Sequence, residues 1–291
     1  MYIRKGMESS TSRSYMASWR QFKSFALGLG KPCIPASEHT VALFATYLYD
    51  LGLKPSTIRC KLSAISFHHK IKQLQSPSDT YLIKHLLKGF DKTSPPKKVR
   101  LPIQEKLLIR LLDAIPSCIE GKHEAFRLKV LFSTMYHAAL RVSETCPSKL
   151  TDHALRLSNL VVLKNSILIT FVSFKHSAGE TVSLKLLKSN VKGCAVSMLK
   201  SWLKMKKTSS DLLFDDPTLP TLSRGYVALK LKLVLQRLGL DPGLYSTHSF
   251  RIGKTSDLAI NGASGEQIRL FGRWKSRAYH TYTKPKFVVA C

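Results

Sequence analysis

The chain has 291 residues, 44% of them hydrophobic, which suits two ordinary domains or one large one with real cores and excludes a disordered tail. Lys and Arg number 46 against 18 Asp and Glu, a formal net charge of +28 spread over both halves. Such an excess on a folded chain points to a polyanionic partner, nucleic acid ahead of an anionic membrane surface.

No apolar run reaches the ~18–20 residues that span a bilayer. The opening segment MYIRKGMESS lacks the apolar core of a secretory signal. An intracellular protein is therefore expected, one that works in the nucleus if its host is eukaryotic. Cys33, Cys60, Cys118, Cys146, Cys194 and Cys291 form no CxxC pair and read as reduced packing residues. The adjacent His68 and His69 have no Cys or carboxylate close by in sequence, so no structural metal is expected.

Residues 1–92 read as a helical unit. Tyr15, Trp19, Phe22 and Ala26 recur at helical steps. Ser37 is placed to cap a second helix carrying Val41, Phe44 and Leu48. Pro55 opens a third with Ile58, Leu62 and Ile65 inward, and Thr80 precedes a fourth with Ile83, Leu86, Leu87 and Phe90. Arg59 and Lys61 give the third helix a basic face. Residues 93–102, TSPPKKVRLP, form a basic, proline-containing linker. Its Lys97, Lys98 and Arg100 suit an arm along a DNA backbone, or a plain solvated connector.

Residues 103–291 read as an α+β unit. Segments 104–115 and 124–140 have helical patterns. LRLSNLVVL, SILITFVSF and TVSLKLL, between 155 and 187, are rich in β-branched residues and predict a small antiparallel sheet. Helices resume at 194–206, 223–238 and 247–261. The predicted fold class is thus mainly α, with a small sheet inserted among the helices of the second unit.

Three segments carry candidate chemistry. In THSFRIG, His248 and Arg251 stand three apart on one helical face, with Thr247 placed to cap the helix. Arg141 closes the apolar helix in YHAALRVSE. In FGRWKSRAYHTYTKP, Trp274 precedes Tyr282 by eight residues. Taken singly, each motif reads equally well as surface charge or packing.

Together, in this order and spacing, they resemble the motifs of the tyrosine recombinase (phage integrase) family. LRVSE resembles its first arginine box, HSFR its HxxR box, and the Trp274–Tyr282 segment its nucleophile box. HSFRIG followed by GRWKS is especially similar to recombinases of eukaryotic mobile elements, the DIRS-type retroelements and cryptons. The resemblance spans nearly the whole chain. It implies a helical core-binding domain at 1–92 covering one side of duplex DNA, and a catalytic domain at 103–291 covering the other.

The resemblance also assigns roles. Tyr282 would attack the scissile phosphate, leaving a 3′-phosphotyrosyl link. Tyr279 is its rival. Arg141 and Arg251 would hold the non-bridging oxygens with forked, permanently charged donors. His248 would act as base or proton shuttle, and Glu144 would orient Arg141 or His248. Lys175, in a hairpin between the arginine boxes, would protonate the leaving 5′-oxygen, with Lys164, Lys185 and Lys188 as competitors. Trp274 would donate a hydrogen bond to phosphate or pack beside the nucleophile.

No metal, ATP or other cofactor is implied. The expected partner is double-stranded DNA, and the expected assembly is a homotetramer on two DNA sites. One departure is Lys254, one turn after Arg251, where a small residue is more usual in the family. It faces DNA or marks an inactive copy. Two further readings stay open: a domesticated DNA-binding protein that does not cleave, and a type IB topoisomerase-like enzyme.

Overall fold

Helical spacing of apolar residues through the first ninety positions produces helices there in the computed structural model, which describes residues 9–96, 99–147, 153–172, 174, 179–207 and 210–274. These are α1 (Ser9–Gly28), α2 (Glu38–Asp50), α3 (Pro55–Ile71) and α4 (Tyr81–Thr93). Ser37 Oγ accepts the Thr40 N–H at 3.1 Å, and Thr80 Oγ1 accepts the Ile83 N–H at 3.4 Å. Each cap satisfies a donor that the first turn leaves orphaned. Phe22, Phe44, Leu48, Ile58, Ile65 and Ile83 form a closed apolar core. His68 stacks on Trp19, and His69 is fully buried. His69 Nε2 accepts the Ala36 N–H and its Nδ1 meets the Ile65 carbonyl, so this histidine pair is part of the packing.

The chain divides into two compact units, residues 1–97 and 98–291. In the second, the stretch leading to the first helix is tied down by backbone bonds. Leu101 N–H donates to Leu244 O at 2.8 Å, and Ile103 N–H to Ser249 O at 2.9 Å. Helix α5 (Glu105–Ala114) runs into a 3₁₀ turn at Ile115–Ser117, and α6 (Lys122–His137) follows. Nearly every residue of α6 from Leu128 to Tyr136 is buried, so it forms the centre of this unit.

The sheet has the order β1–β2–β3, all antiparallel: β1 (Leu160–Leu163), β2 (Ser166–Phe171) and β3 (Val182–Leu187). Pairing of Ile167 with Leu186 and Phe171 with Val182 puts Ile167, Ile169, Phe171 and Leu186 on the core face. Then come α7 (Ala195–Met205), α8 (Arg224–Arg237), α9 (Ser249–Ile260) and α10 (Gly265–Phe271). The protein is mainly α-helical with a small antiparallel sheet in the second unit, the fold class expected.

Some boundaries differ from the sequence reading. The first expected strand shrinks to Leu160–Leu163, because Leu157–Asn159 turn as a 3₁₀ helix closed by Asn159 Oδ1 on the Arg156 N–H. Helix α6 stops at His137 rather than running to 140. There Ala139 adopts a left-handed conformation, φ +45°. Among the described residues no helix is long and apolar enough to cross a membrane.

The glycine of HSFRIG has a packing reason. A Cβ on Gly253 would overlap the carbonyl of Ile103, which lies against α9. Gly253→Ala should therefore push the 101–104 stretch off α9. The expected loss is about 1–3 kcal/mol of unfolding free energy, the range for overpacking a tight site. Urea denaturation measures it, and an unchanged midpoint would refute the close approach.

Candidate functional site

The site begins where α6 ends. Ala139 N–H donates to Tyr136 O at 3.0 Å and Leu140 N–H to Met135 O at 2.9 Å, the paired bonds of a Schellman closure with Ala139 as its left-handed residue. The chain then enters a 3₁₀ turn, Val142–Glu144, with Arg141 at its N-cap. Arg141 is thus four residues beyond the apolar helix, not at its end. Glu144 folds back on the turn. Its Oε2 accepts the Arg141 backbone N–H at 2.9 Å, and its Oε1 accepts Arg141 Nη1 at 3.0 Å.

Helix α9 supplies the next two groups. It begins at Ser249, and His248 occupies the N-cap position with helical backbone angles. The expected capping by Thr247 does not occur. The turn is closed instead by Ser249 Oγ, which accepts the Ser246 N–H at 3.0 Å. Arg251 is fully buried. Its Nη1 donates to Ala139 O at 2.7 Å, and its Nη2 donates to Gly272 O. These carbonyls lie just beyond the ends of α6 and α10, in the closures that follow the two helices, where the helix dipole leaves partial negative charge.

Helix α10 ends in a second Schellman closure. Arg273 N–H donates to Leu270 O at 3.0 Å and Trp274 N–H to Arg269 O at 3.1 Å. A Cβ on Gly272 would overlap the Trp274 ring, so this glycine lets the indole fold back. The Trp274 ring lies 4.3 Å from the guanidinium carbon of Arg251, a cation–π stack.

One residue of this cluster was not found from the sequence. Arg273 is buried, its Nη2 donates to Glu144 Oε2 at 2.8 Å, and its Nη1 donates to Ala138 O at 3.1 Å. Its only local signal was adjacency to Trp274.

The structure therefore brings together Arg141, Glu144, His248, Arg251 and Trp274, from segments more than a hundred residues apart in sequence. Lys175, Tyr279 and Tyr282 lie outside the described residues, as do Lys97 and Lys98. Of the competing lysines, Lys164 is in the β1–β2 turn, Lys185 is exposed on β3, and Lys188 follows it. In the first unit Arg59 forks onto Asp91, and Lys61 donates to Gln21 Oε1 at 2.6 Å. Arg100 is bound to the carbonyl of Tyr245 at 3.1 Å. Lys254 sits half-buried with its ammonium 5.2 Å from the centre of the Tyr136 ring.

Among the described residues the cluster is rich in positive charge. Burial raises the pKa of Glu144, but Arg273, Arg141 and Arg251 outweigh it, and the carboxyl is held below its ordinary range. Among the described residues this places three guanidinium groups, Arg141, Arg251 and Arg273, around the Glu144 carboxylate, an arrangement suited to an anionic group. His248 responds oppositely. Burial, then Arg251 and Arg141, lower its pKa to about 4, so it is a neutral imidazole at neutral pH. It can then accept a proton.

This depression has a measurable sign. The unfolded chain protonates His248 near ~6.5, while the folded chain resists until about 4. The stability linked to this group is complete above the unfolded value and is lost as pH falls through that window. His248→Gln should flatten that part of the pH–stability curve. In the parent, the His248 ring proton should titrate near 4 by NMR, and titration near ~6.5 would refute the burial.

No protein-family model matches the chain. It is 27% identical over 163 residues to the tyrosine recombinase XerC of Halalkalibacterium halodurans, a match covering 55% of this chain and 51% of that protein. The chain thus matches about half the length of that curated relative. Solved structures extend the likeness. The Tn1549 transposon integrase in complex with transposon right end DNA superposes with a TM-score of 0.70 at 14% identity, covering 98% of this chain and 93% of that one. The XerH site-specific recombinase bound to difH substrate gives 0.62 at 17%, covering 91% and 73%. A lambda integrase dimer bound to a COC′ core site gives 0.62 at 15%, covering 99% and 75%.

Proposed function

We propose that this chain is a member of the tyrosine recombinase (phage integrase) superfamily, a reading supported by its fold and its match to XerC, and that it is a site-specific DNA recombinase that cleaves and rejoins strands through Tyr282. The observation that carries this reading is the clustering of Arg141 and Arg251 with an imidazole kept neutral, His248.

The chemistry asks for that set. A phenol attacks phosphorus only if its proton is taken and the charge on the phosphoryl oxygens is offset. Neutral His248 takes the Tyr282 proton. Arg141 and Arg251 donate to the non-bridging oxygens, preorganised by Glu144 and Trp274. The Tyr282 oxygen–phosphorus bond forms as the bond from phosphorus to the 5′-oxygen breaks. Lys175 gives that oxygen its proton. The products are a 3′-phosphotyrosyl link and a 5′-hydroxyl. Bond energy is conserved in the link, so a 5′-hydroxyl of another strand can reverse the step without ATP.

The partner in this reading is double-stranded DNA, a choice supported by the Tn1549 integrase in complex with transposon right end DNA. Residues 1–92 serve as the core-binding domain, and a homotetramer works on two sites. Arg59 and Lys61 now have intramolecular partners, so contact with a DNA backbone would exchange Asp91 and Gln21 for phosphates. Lys97, Lys98 and Arg100 complete the basic arm. The HSFRIG and GRWKS segments favour a eukaryotic mobile element, with integration or excision taking place in the nucleus.

Nicked duplex DNA from the flanks of the chain's own gene tests the reading. A covalent protein–DNA band should form on denaturing gels, persist in Tyr279→Phe and vanish in Tyr282→Phe. Loss only in Tyr279→Phe would move the nucleophile. Salt-sensitive binding with no adduct would favour a non-cleaving binder, and relaxation of supercoils without target sites would favour the topoisomerase reading.

A further inference from the structure

The end of α10 carries an arginine where the backbone favours glycine. Arg273 has φ +53° and is the left-handed residue of the closure. Any residue with a Cβ is disfavoured there, and such positions persist where surrounding contacts over-determine them. Arg273 is held in that way. Its guanidinium reaches Ala138 O at 3.1 Å, Ala139 O at 3.2 Å and Glu144 Oε2 at 2.8 Å, and its carbon lies 3.9 Å from the Phe171 ring centre. Its side chain is 1% exposed.

Both ends of this residue bear on Arg141. The Arg273 carbonyl accepts Arg141 Nη2 at 3.5 Å. The Arg273 guanidinium holds one oxygen of Glu144 while the other oxygen holds Arg141 Nη1. Without Arg273, Glu144 Oε2 would keep only the Arg141 backbone N–H at 2.9 Å, a neutral donor from the same turn, so the carboxylate and the Arg141 guanidinium would have no anchor outside that turn. With a second cation anchored behind it, Glu144 keeps its place.

We propose that Arg273 is a positioning residue: without touching DNA, it fixes the Arg141 guanidinium for the scissile phosphate through Glu144 and through its own carbonyl. The inference rests on the strand-cleavage reading above. It assigns Arg273 more than packing, because glycine would close the helix with less strain.

Two variants of the full chain test it. Arg273→Gly relieves the backbone and removes the guanidinium. Arg273→Lys keeps the charge without the fork, and serves if the glycine variant does not fold. Single-turnover cleavage is measured on the nicked duplex that the parent cleaves. Rotation of the Arg141 guanidinium about its Nε–Cζ bond is measured by ¹⁵N NMR on DNA-free protein. Arg273→Gly should bind the duplex as the parent does but cleave it on the order of a hundredfold more slowly, the scale of a small misplacement of a reacting group. Arg273→Lys should be intermediate, added guanidinium ion should restore part of the rate, and Arg141 should rotate faster. In an Arg141→Lys background, Arg273→Gly should add little.

Parent-like cleavage by Arg273→Gly, equal losses in both backgrounds, or an Arg141 rotation unchanged from the parent would each overturn the proposal. If the parent itself forms no adduct, the cleavage reading fails separately. The Arg141 rotation then still decides whether Arg273 positions it.

Discussion

A carboxylate with 1% of its side-chain surface exposed stays ionised only among cations, and Glu144 has two against it. Removing one partner from such a buried set leaves uncompensated charge, which is why these groups constrain their surroundings so strongly. Glu144 is fixed by its own 3₁₀ turn, so Arg141 and Arg273 must come to it. Arg141 arrives from the same turn. Arg273 arrives from the end of α10, more than a hundred residues later. The ends of α6 and α10 must therefore meet, and both do so in left-handed closures that aim carbonyls at guanidinium groups.

Arg251 is buried beside the same two helix ends. Its Nη atoms are placed by the carbonyls of Ala139 and Gly272, and its face by Trp274. Carbonyls at helix ends carry only partial charge. They orient a guanidinium without adding a full negative charge. His248 lies close by, and burial first, then Arg251 and Arg141, lower its pKa.

The helices were legible in the sequence because the evidence for them is local: apolar spacing, Ser37 and Thr80 at N-caps, Pro55 at the first turn. The sheet was legible from its β-branched runs. Arg141, His248 and Arg251 could be picked out because their motifs are short and in order. What could not be read depends on backbone sign and on long-range pairing. FGRW looks like a helix stopped by glycine, yet Gly272 has ordinary negative φ and Arg273 takes the left-handed place. Ala139 hides the end of α6 in the same way. Serine at 249, already inside the helix, closes the turn that Thr247 seemed placed to cap.

Lys254 shows how a departure from a family pattern is resolved by three dimensions. Its neighbour Asp257 accepts the Gln104 amide at 2.8 Å, the Glu105 N–H at 3.0 Å and the Tyr136 hydroxyl. That carboxylate caps α5, joins it to α9 and holds α6 through Tyr136. Lys254 lies over the same tyrosine, and its ammonium is lowered in pKa by burial while Glu105 and Asp257 oppose the shift. The lysine thus belongs to the junction that seats α9 against α5 and α6. Because α9 carries His248 at its start and Arg251 one turn later, that junction fixes the height at which both enter the cluster. The residue that looked out of pattern beside HSFR is part of what seats HSFR.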